Sequence, residues 1–322
     1  MLHRITVAID HGNNSIKTPN HVFKSSYMES GHLPSLGSDT LIYGGKEYTL
    51  VDNRMPQKSD KTGDEDYFKL TLFALGKEFM SNAEIHVAIK AGAIIEVVLL
   101  VGLPPLHCKS MGEKFKHYFV NHAGRIDFVY NSLPISIRIA DVHVYPQAYA
   151  AAVTAHEMLS NAVNVNIVDI GGYTIDLLLM KNFRPDMAVC ISLYNGVNIL
   201  FQQINEQVRA TGAKDISDTI IEGVLQNNLA VIRECSSDRI NVIRNTTEQF
   251  VAKLLLSVSQ AGLDLTENRT LFIGGGSILL KEYIEKSRLV AKSIFLNNVH
   301  ANAEGYRLLY ENRNTLQAGD SQ

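Results

Sequence analysis

Short apolar runs alternate with amphipathic stretches along the chain, which is the pattern of an α/β protein. Residues 3–10, HRITVAID, form a β-rich run that ends in Asp10 and enters the Gly/Asn turn HGNNS. Residues 164–170, NVNIVDI, end in the same way and enter GGYT, and TIDLLLM (174–180) reads as a returning strand. A strand, a tight glycine turn and a returning strand make a β-hairpin whose turn can wrap a phosphate. The same opening recurs in the second half of the chain, which predicts two lobes of related design facing each other. Between these hairpins, EVVLLVGLP (96–104) reads as a buried strand and SMGEKFKHYFVNHAG (110–124) as an amphipathic helix stopped by Gly124. Runs near 126–130 and 133–145 read as further strands. In PQAYAAAVTAHEML (146–159) a proline stands at a helix start, followed by alanines that let the helix sit close to its neighbours.

In the second half, GVNILFQQINEQVRATG (196–212) has helical periodicity and a terminal glycine, and a long helix runs through 240–262. FIGGGSILLKEYI (272–284) is an apolar strand, three glycines and a helix. The polar, turn-rich region 25–65 reads as a small exposed insertion, and the tail QAGDSQ as a frayed end. No low-complexity linker separates the halves, so they are expected to pack as one hinged body.

Composition narrows the class. The 322 residues suffice for two ordinary domains or one large two-lobed fold, and 46% hydrophobic with 20% charged residues is the balance of a soluble globular protein. A net charge of -3 gives no chain-wide electrostatic grip on nucleic acid, so direct DNA binding is not expected. Cys108, Cys190 and Cys235 form no CxxC pair and read as buried thiols in a reducing compartment. The N-terminus enters a strand at once, with no secretory pattern. The longest apolar stretch, 91–105, is interrupted by Glu96 and is too short to span a bilayer. A cytoplasmic protein without a membrane partner is expected.

Three turns carry candidate chemistry. In DHGNNSIK the turn Gly12, Asn13, Asn14 and Ser15 exposes backbone N–H groups, Lys17 adds a point charge for a phosphate, and Asp10 is placed to hold hydrated Mg²⁺ through its waters. In DIGGYTID, Gly171 and Gly172 permit close backbone approach and Thr174 adds a hydroxyl, while Asp169 is placed to bind Mg²⁺ or polarise an attacking water, with Asp176 following. In FIGGG, Gly274, Gly275 and Gly276 let a flat base lie on bare backbone at a helix start. This is not the dinucleotide pattern GxGxxG. Each turn alone also fits an ordinary hairpin or helix entry; their order along the chain decides between the readings.

In that order the chain resembles the actin, Hsp70 and sugar-kinase superfamily over nearly its whole length, and within it the bacterial plasmid-partitioning actins, the ParM/StbA family. DHGNNSIK, VYPQAYAAA (144–152), DIGGYTID, IGGG and HANAEGYRLLYE (300–311) carry the resemblance. It implies an α/β, two-lobed actin-like ATPase fold, that is, duplicated ribonuclease H-like domains around a nucleotide cleft. The first lobe would comprise 1–160 with a small insertion near 25–80. The second would comprise 161–322, with a C-terminal helix at about 300–312 crossing back. The resemblance further implies that Asp10 and Asp169 flank the metal and that Gly12 to Ser15 with Lys17 hold phosphates. Gly171, Gly172 and Thr174 would hold the terminal phosphates, Gly274 to Gly276 the adenosine, and Glu206 the ribose. His11 departs from the small or acidic residue of several relatives and is expected to face outward from its turn.

Gln147 stands where sugar kinases of the superfamily carry a proton-accepting Asp. An amide is a poor base but a good orienter of water, which favours ATP hydrolysis over phosphoryl transfer to a sugar. Asp141, in a strand, is a poor replacement base. The remaining alternatives are a sugar or small-molecule kinase, an Hsp70-like ATPase and a nucleotide-binding scaffold without turnover. If the resemblance holds, the protein binds ATP and Mg²⁺, assembles with itself into filaments, and reaches a plasmid centromere through a DNA-binding adaptor.

Overall fold

The computed structural model describes residues 3–30, 37–52, 55, 58, 60–122 and 124–319, with side chains through 314. The chain divides into two compact units, Met1–Thr154 with His300–Gln322, and Ala155–Val299. The first unit runs β1 (His3–His11), β2 (Ser15–Lys17), β3 (Val22–Lys24), β4 (Tyr27–Glu29), β5 (Thr40–Tyr43), β6 (Lys46–Leu50), α1 (Asp66–Ser81), α2 (Ala83–Lys90), β7 (Ile94–Leu103), α3 (Pro105–Val120), β8 (Ile126–Tyr130), β9 (Leu133–Pro146) and α4 (Tyr149–Thr154). The second runs α5 (His156–Leu159), β10 (Asn164–Ile170), β11 (Ile175–Lys181), β12 (Arg184–Leu193), α6 (Val197–Ala210), α7 (Asp218–Leu225), α8 (Leu229–Glu234), α9 (Ser237–Gln260), β13 (Arg269–Ile273), α10 (Gly275–Ser287) and β14 (Ser293–Phe295). Helix α11 (Ala301–Gly319) then belongs to the first unit again.

The sheet of the first unit has the order β3-β2-β1-β7-β9-β8-β5-β6-β4, with β1, β7 and β9 parallel at its centre. These strands read as continuous apolar runs because both faces are covered. Successive side chains take opposite faces. Val7, Ile9, Val97, Leu99 and Val101 pack with α1, α2 and α3, while Ala8, Val98 and Leu100 pack with Ala150, Ala303 and Tyr306 of α4 and α11. In the second unit the sheet order is β12-β11-β10-β13-β14, and β10 pairs antiparallel with β11 but parallel with β13. Its core joins Val168, Ile170, Ile175 and Leu177 to Leu200, Phe201, Ile204 and Val208 of α6, whose spacing is that of one helical face.

Two segments fold differently from their sequence pattern. Pro146 does not open a helix; it ends β9 opposite Leu103, and the Gln147 N–H continues the pairing to the Leu103 carbonyl at 2.8 Å. The helix starts only at Tyr149, after the left-handed Ala148 (φ 59°), and the alanine-rich stretch is divided between α4 and α5. Proline has no N–H, but its carbonyl and the next N–H can still pair, so it closes a strand as readily as it opens a helix. Residues 25–65, polar in composition, also contribute structure: β4, β5 and β6 extend the sheet through the β5–β8 pair, with Leu41 and Tyr48 buried.

Helix α11 lies so close to α4 that a Cβ on Gly305 would fall onto the backbone of Ala150, and a Cβ on Gly102 of β7 would fall into the Tyr306 ring. Gly305→Ala therefore tests this packing by sign. Helix propensity alone would favour alanine by about 1 kcal/mol, yet overlap with rigid backbone should leave a net loss of about 1–3 kcal/mol in urea unfolding. A variant as stable as the parent would refute the close crossing.

Candidate functional site

In the first unit the candidate residues gather where β1 leaves the sheet. Asp10 pairs in register with Lys17, so both side chains stand on one face, and Lys17 Nζ lies 3.5 Å from Asp10 Oδ2. Asp10 is buried, and a buried carboxylate needs donors. Gln147, also buried, supplies one: its Nε2 donates to Asp10 Oδ1 at 2.6 Å. The parallel β1–β7–β9 arrangement brings these residues together, because β9 ends beside β7 just as β1 ends on its other side. The turn Gly12–Ser15 is pinned from behind. Ser25 Oγ donates to the Gly12 carbonyl at 2.6 Å and Tyr67 Oη donates to Asn13 Oδ1 at 2.7 Å. A Cβ on Gly12 would sit 2.6 Å from the Ser15 carbonyl oxygen, so only glycine closes this turn.

His11 is not an outward-facing turn residue; it is fully buried. Its ring packs edge-on against Phe115, with centroids 5.8 Å apart, and lies 5.5 Å from Phe119. Its Nε2 is 2.7 Å from Thr71 Oγ1, whose own proton goes to the Tyr67 carbonyl at 2.7 Å, so Nε2–H is the donor and the imidazole is neutral. Burial, reinforced by the nearby Lys61 cation, pushes its pKa down to about 3. Lys61, itself buried, donates to the His11 carbonyl and lies over the Tyr67 ring. Sequence reasoning missed Lys61, which stands in a polar stretch with nothing to mark it as buried.

In the second unit the GGYT turn is closed by the Gly171 N–H donating to the Thr174 carbonyl at 2.9 Å. The start of α6 hangs on the same turn: Gly196, Val197 and Asn198 donate their backbone N–H groups to the carbonyls of Tyr173, Gly171 and Gly172. A Cβ on Gly196 would lie 2.5 Å from the Gly172 carbonyl group, so Gly196, absent from the sequence-derived set, shapes this turn as firmly as its own glycines. The signal available was a glycine immediately before an amphipathic helix. Thr174 Oγ1 lies 3.4 Å from the buried Asp176, which also accepts from Ser192.

The glycines after β13 belong to this cluster because Ile273 pairs with Asp169 across the parallel β10–β13 register. Gly274 has φ 85°, and a Cβ there would strike the Asp169 carboxylate and the Ile170 carbonyl. A Cβ on Gly276 would lie 2.8 Å from the Ile170 carbonyl oxygen, whereas at Gly275 it would meet nothing within 4 Å. Glu206 is separate: it is exposed on α6, eight residues beyond Asn198, or about 12 Å along the axis.

The structure thus brings Asp10, Gly12, Asn13, Asn14, Ser15, Lys17 and Gln147 together in one unit. It brings Asp169, Gly171, Gly172, Thr174 and Gly274 to Gly276 together in the other. Any side chain at Gly12, Gly274 or Gly276 would collide with backbone, so glycine alone closes these turns. Asn14 Oδ1 and the Asn198 amide are buried without a hydrogen-bond partner among the described residues. Among the described residues no group of three or more His, Cys, Asp or Glu forms a metal cage.

The neutral burial of His11 has a measurable consequence. The unfolded chain takes up a proton as pH falls through 6.5, while the folded protein does so only near 3. Stability is therefore complete above 6.5 and is lost as pH falls through this window. Between pH 7 and 5 the wild type should lose about 2 kcal/mol more than His11→Gln in urea unfolding. Equal losses would contradict the buried neutral imidazole.

Residues 167–286 match the family described as archaeal actin homologue MreB-like, C-terminal. No curated protein sequence matches the chain. Among solved structures, the ADP complex of Ta0583, an archaeal actin homologue, superposes with a TM-score of 0.73 at 14% identity, covering 96% of this chain and 99% of that one. The apo pSK41 ParM protein gives 0.69 at 12% identity, covering 99% and 100%. A 15-stranded ParM filament from Clostridium botulinum gives 0.69 at 16% identity, covering 95% and 98%. The chain has the actin-like fold of the archaeal actin homologue and ParM proteins, carried over nearly its full length.

Proposed function

We propose that the protein is an actin-like ATPase that binds and hydrolyses Mg-ATP and assembles with itself into filaments. The observation that carries this reading is the Gln147 amide, buried and held 2.6 Å from the carboxylate of Asp10 beside the first glycine turn. Its nitrogen is committed to Asp10, which leaves the amide oxygen to orient a water for in-line attack. Asp10 and Asp169 would hold Mg²⁺ through its waters, and the ion would supply charge neutralisation at the phosphates. Lys17 and the backbone of Gly12 to Ser15, with Gly171, Gly172 and Thr174, would bind phosphate oxygens. Gly274 to Gly276 would take the adenosine, and Glu206 the ribose at its edge.

Phosphoryl transfer to a sugar is disfavoured because no carboxylate stands in place of Gln147. Asp141 is engaged elsewhere on β9, with His143 Nε2 at 3.1 Å and Lys116 Nζ at 3.8 Å. Self-assembly rests on the fold shared with filament-forming proteins, one of them a ParM filament. A role in plasmid segregation through a DNA-binding adaptor accords with the net charge of -3, which supplies no chain-wide attraction to DNA. No described helix is long and apolar enough to cross a membrane.

Asp10→Ala and Asp169→Ala should each lower Mg-ATP turnover about tenfold or more, a barrier increase of about 1.4 kcal/mol, with both proteins folded by circular dichroism. Gln147→Ala should slow hydrolysis about 100-fold and change ATP affinity far less. Wild-type turnover in the aspartate variants, or lost affinity with normal turnover in Gln147→Ala, would contradict these roles. Light scattering of the wild type should rise on adding Mg-ATP and decay as phosphate accumulates; phosphate release with flat scattering would remove the filament and keep the ATPase.

A further inference from the structure

We propose that Asn302, on the first turn of α11, is a positioning residue for Gln147. The inference rests on the hydrolytic reading of Gln147 given above and adds to it a control from the C-terminal helix. The link runs through Ala148. This residue has φ 59°, a left-handed conformation that is strained for a residue bearing a Cβ. The Tyr149 N–H closes onto the Gln147 carbonyl at 2.5 Å, making a three-residue turn with its strained member at the centre. That turn swings the chain from β9 into α4 and sets the direction from which the Gln147 side chain reaches Asp10.

A strained turn persists only where its surroundings over-determine it. Here Ala148 is fully buried, its carbonyl accepts from the Ala152 N–H at 2.9 Å, and its N–H donates to Asn302 Oδ1 at 2.9 Å. The Asn302 bond is the one that comes from far along the chain, and it satisfies a backbone donor which burial would otherwise leave costly. Asn302 is itself rigidly placed. Three residues on, Gly305 lies against the Ala150 backbone, and His300 Nδ1 lies 2.6 Å from the Thr18 carbonyl just beyond β2. The start of α11 is therefore tied both to the Gln147 turn and to the end of the hairpin that carries Lys17. The hydrogen bond of Asn302 goes to the Ala148 N–H and not to the side chain of Asp10 or Gln147, so it acts through the backbone between them and α11.

The test compares steady-state phosphate release and ATP affinity in full-length variants. Asn302→Ala should lower kcat about 10–100-fold while ATP affinity stays within about threefold of wild type. Asn302→Asp, whose carboxylate still accepts from the Ala148 N–H, should restore the rate. In an Ala148→Gly background, where glycine adopts the positive φ without strain, the loss caused by Asn302→Ala should shrink to within about threefold. Asn302→Ser, a shorter acceptor, serves in the same comparison if Asn302→Ala does not fold. Unchanged kcat in the folded variant, or an equal loss in both backgrounds, overturns the inference alone. A wild type that releases no phosphate overturns the proposed function and this inference with it.

Discussion

The hydrogen bond from Gln147 to Asp10 is the constraint on which the first unit's arrangement depends. A buried carboxylate is tolerated only with donors at hand, and here the nearest donor comes from the end of a strand far along the chain. The central parallel strands must therefore end level with one another. The parallel pairing of β1, β7 and β9, with one bulged residue in β9 opposite Val97–Val98, achieves this, and their alternating faces are filled on one side by α1 to α3 and on the other by α4 and α11. Parallel strands demand crossover connections and cover on both faces, so the local need at Asp10 and the global layering support one another.

The second unit meets a related need with different parts. Asp169 also stands at a strand end before a glycine turn, and there glycine backbone packs close against the strand. Gly274 lies against the Asp169 carboxylate, Gly276 against Ile170, and Gly196 against Gly172. Glycine is required at these places because two chain segments approach closer than a Cβ allows. At Gly274 the positive φ adds a second reason. The three glycines after β13 are thus not equivalent: two are fixed by contact and Gly275 is open.

Much of the fold was legible because it is written in local patterns. Both hairpins appear as strand, glycine turn and strand, and the apolar runs at β1, β7 and β10 announce strands covered on both faces. The strand–glycine–helix reading of 272–284 corresponds to β13 and α10. Other features were hidden because they depend on partners distant in sequence. His11 looks like a turn residue until Thr71, Phe115 and Phe119 close over it. Lys61 looks solvated until it meets the His11 carbonyl. Pro146 matches a helix-start rule, and only the pairing with Leu103 shows that it ends a strand. No propensity predicts a left-handed alanine at 148; Asn302 must supply the bond that holds it. Glu206, suggested by resemblance alone, is the candidate that local geometry leaves apart from the glycine turns.

The central claim is that Asp10 and Gln147 form the catalytic half-site of a Mg-ATP hydrolase. An experimental structure with Mg²⁺ and a slowly hydrolysed ATP analogue tests it most directly. The account predicts phosphates against the backbone of Gly12 to Ser15, metal-bound water on Asp10, and Gln147 still on Asp10 with its amide oxygen holding a water in line with the terminal phosphate. A nucleotide bound away from this turn, or a Gln147 swung off Asp10 with no water before the phosphate, would contradict it.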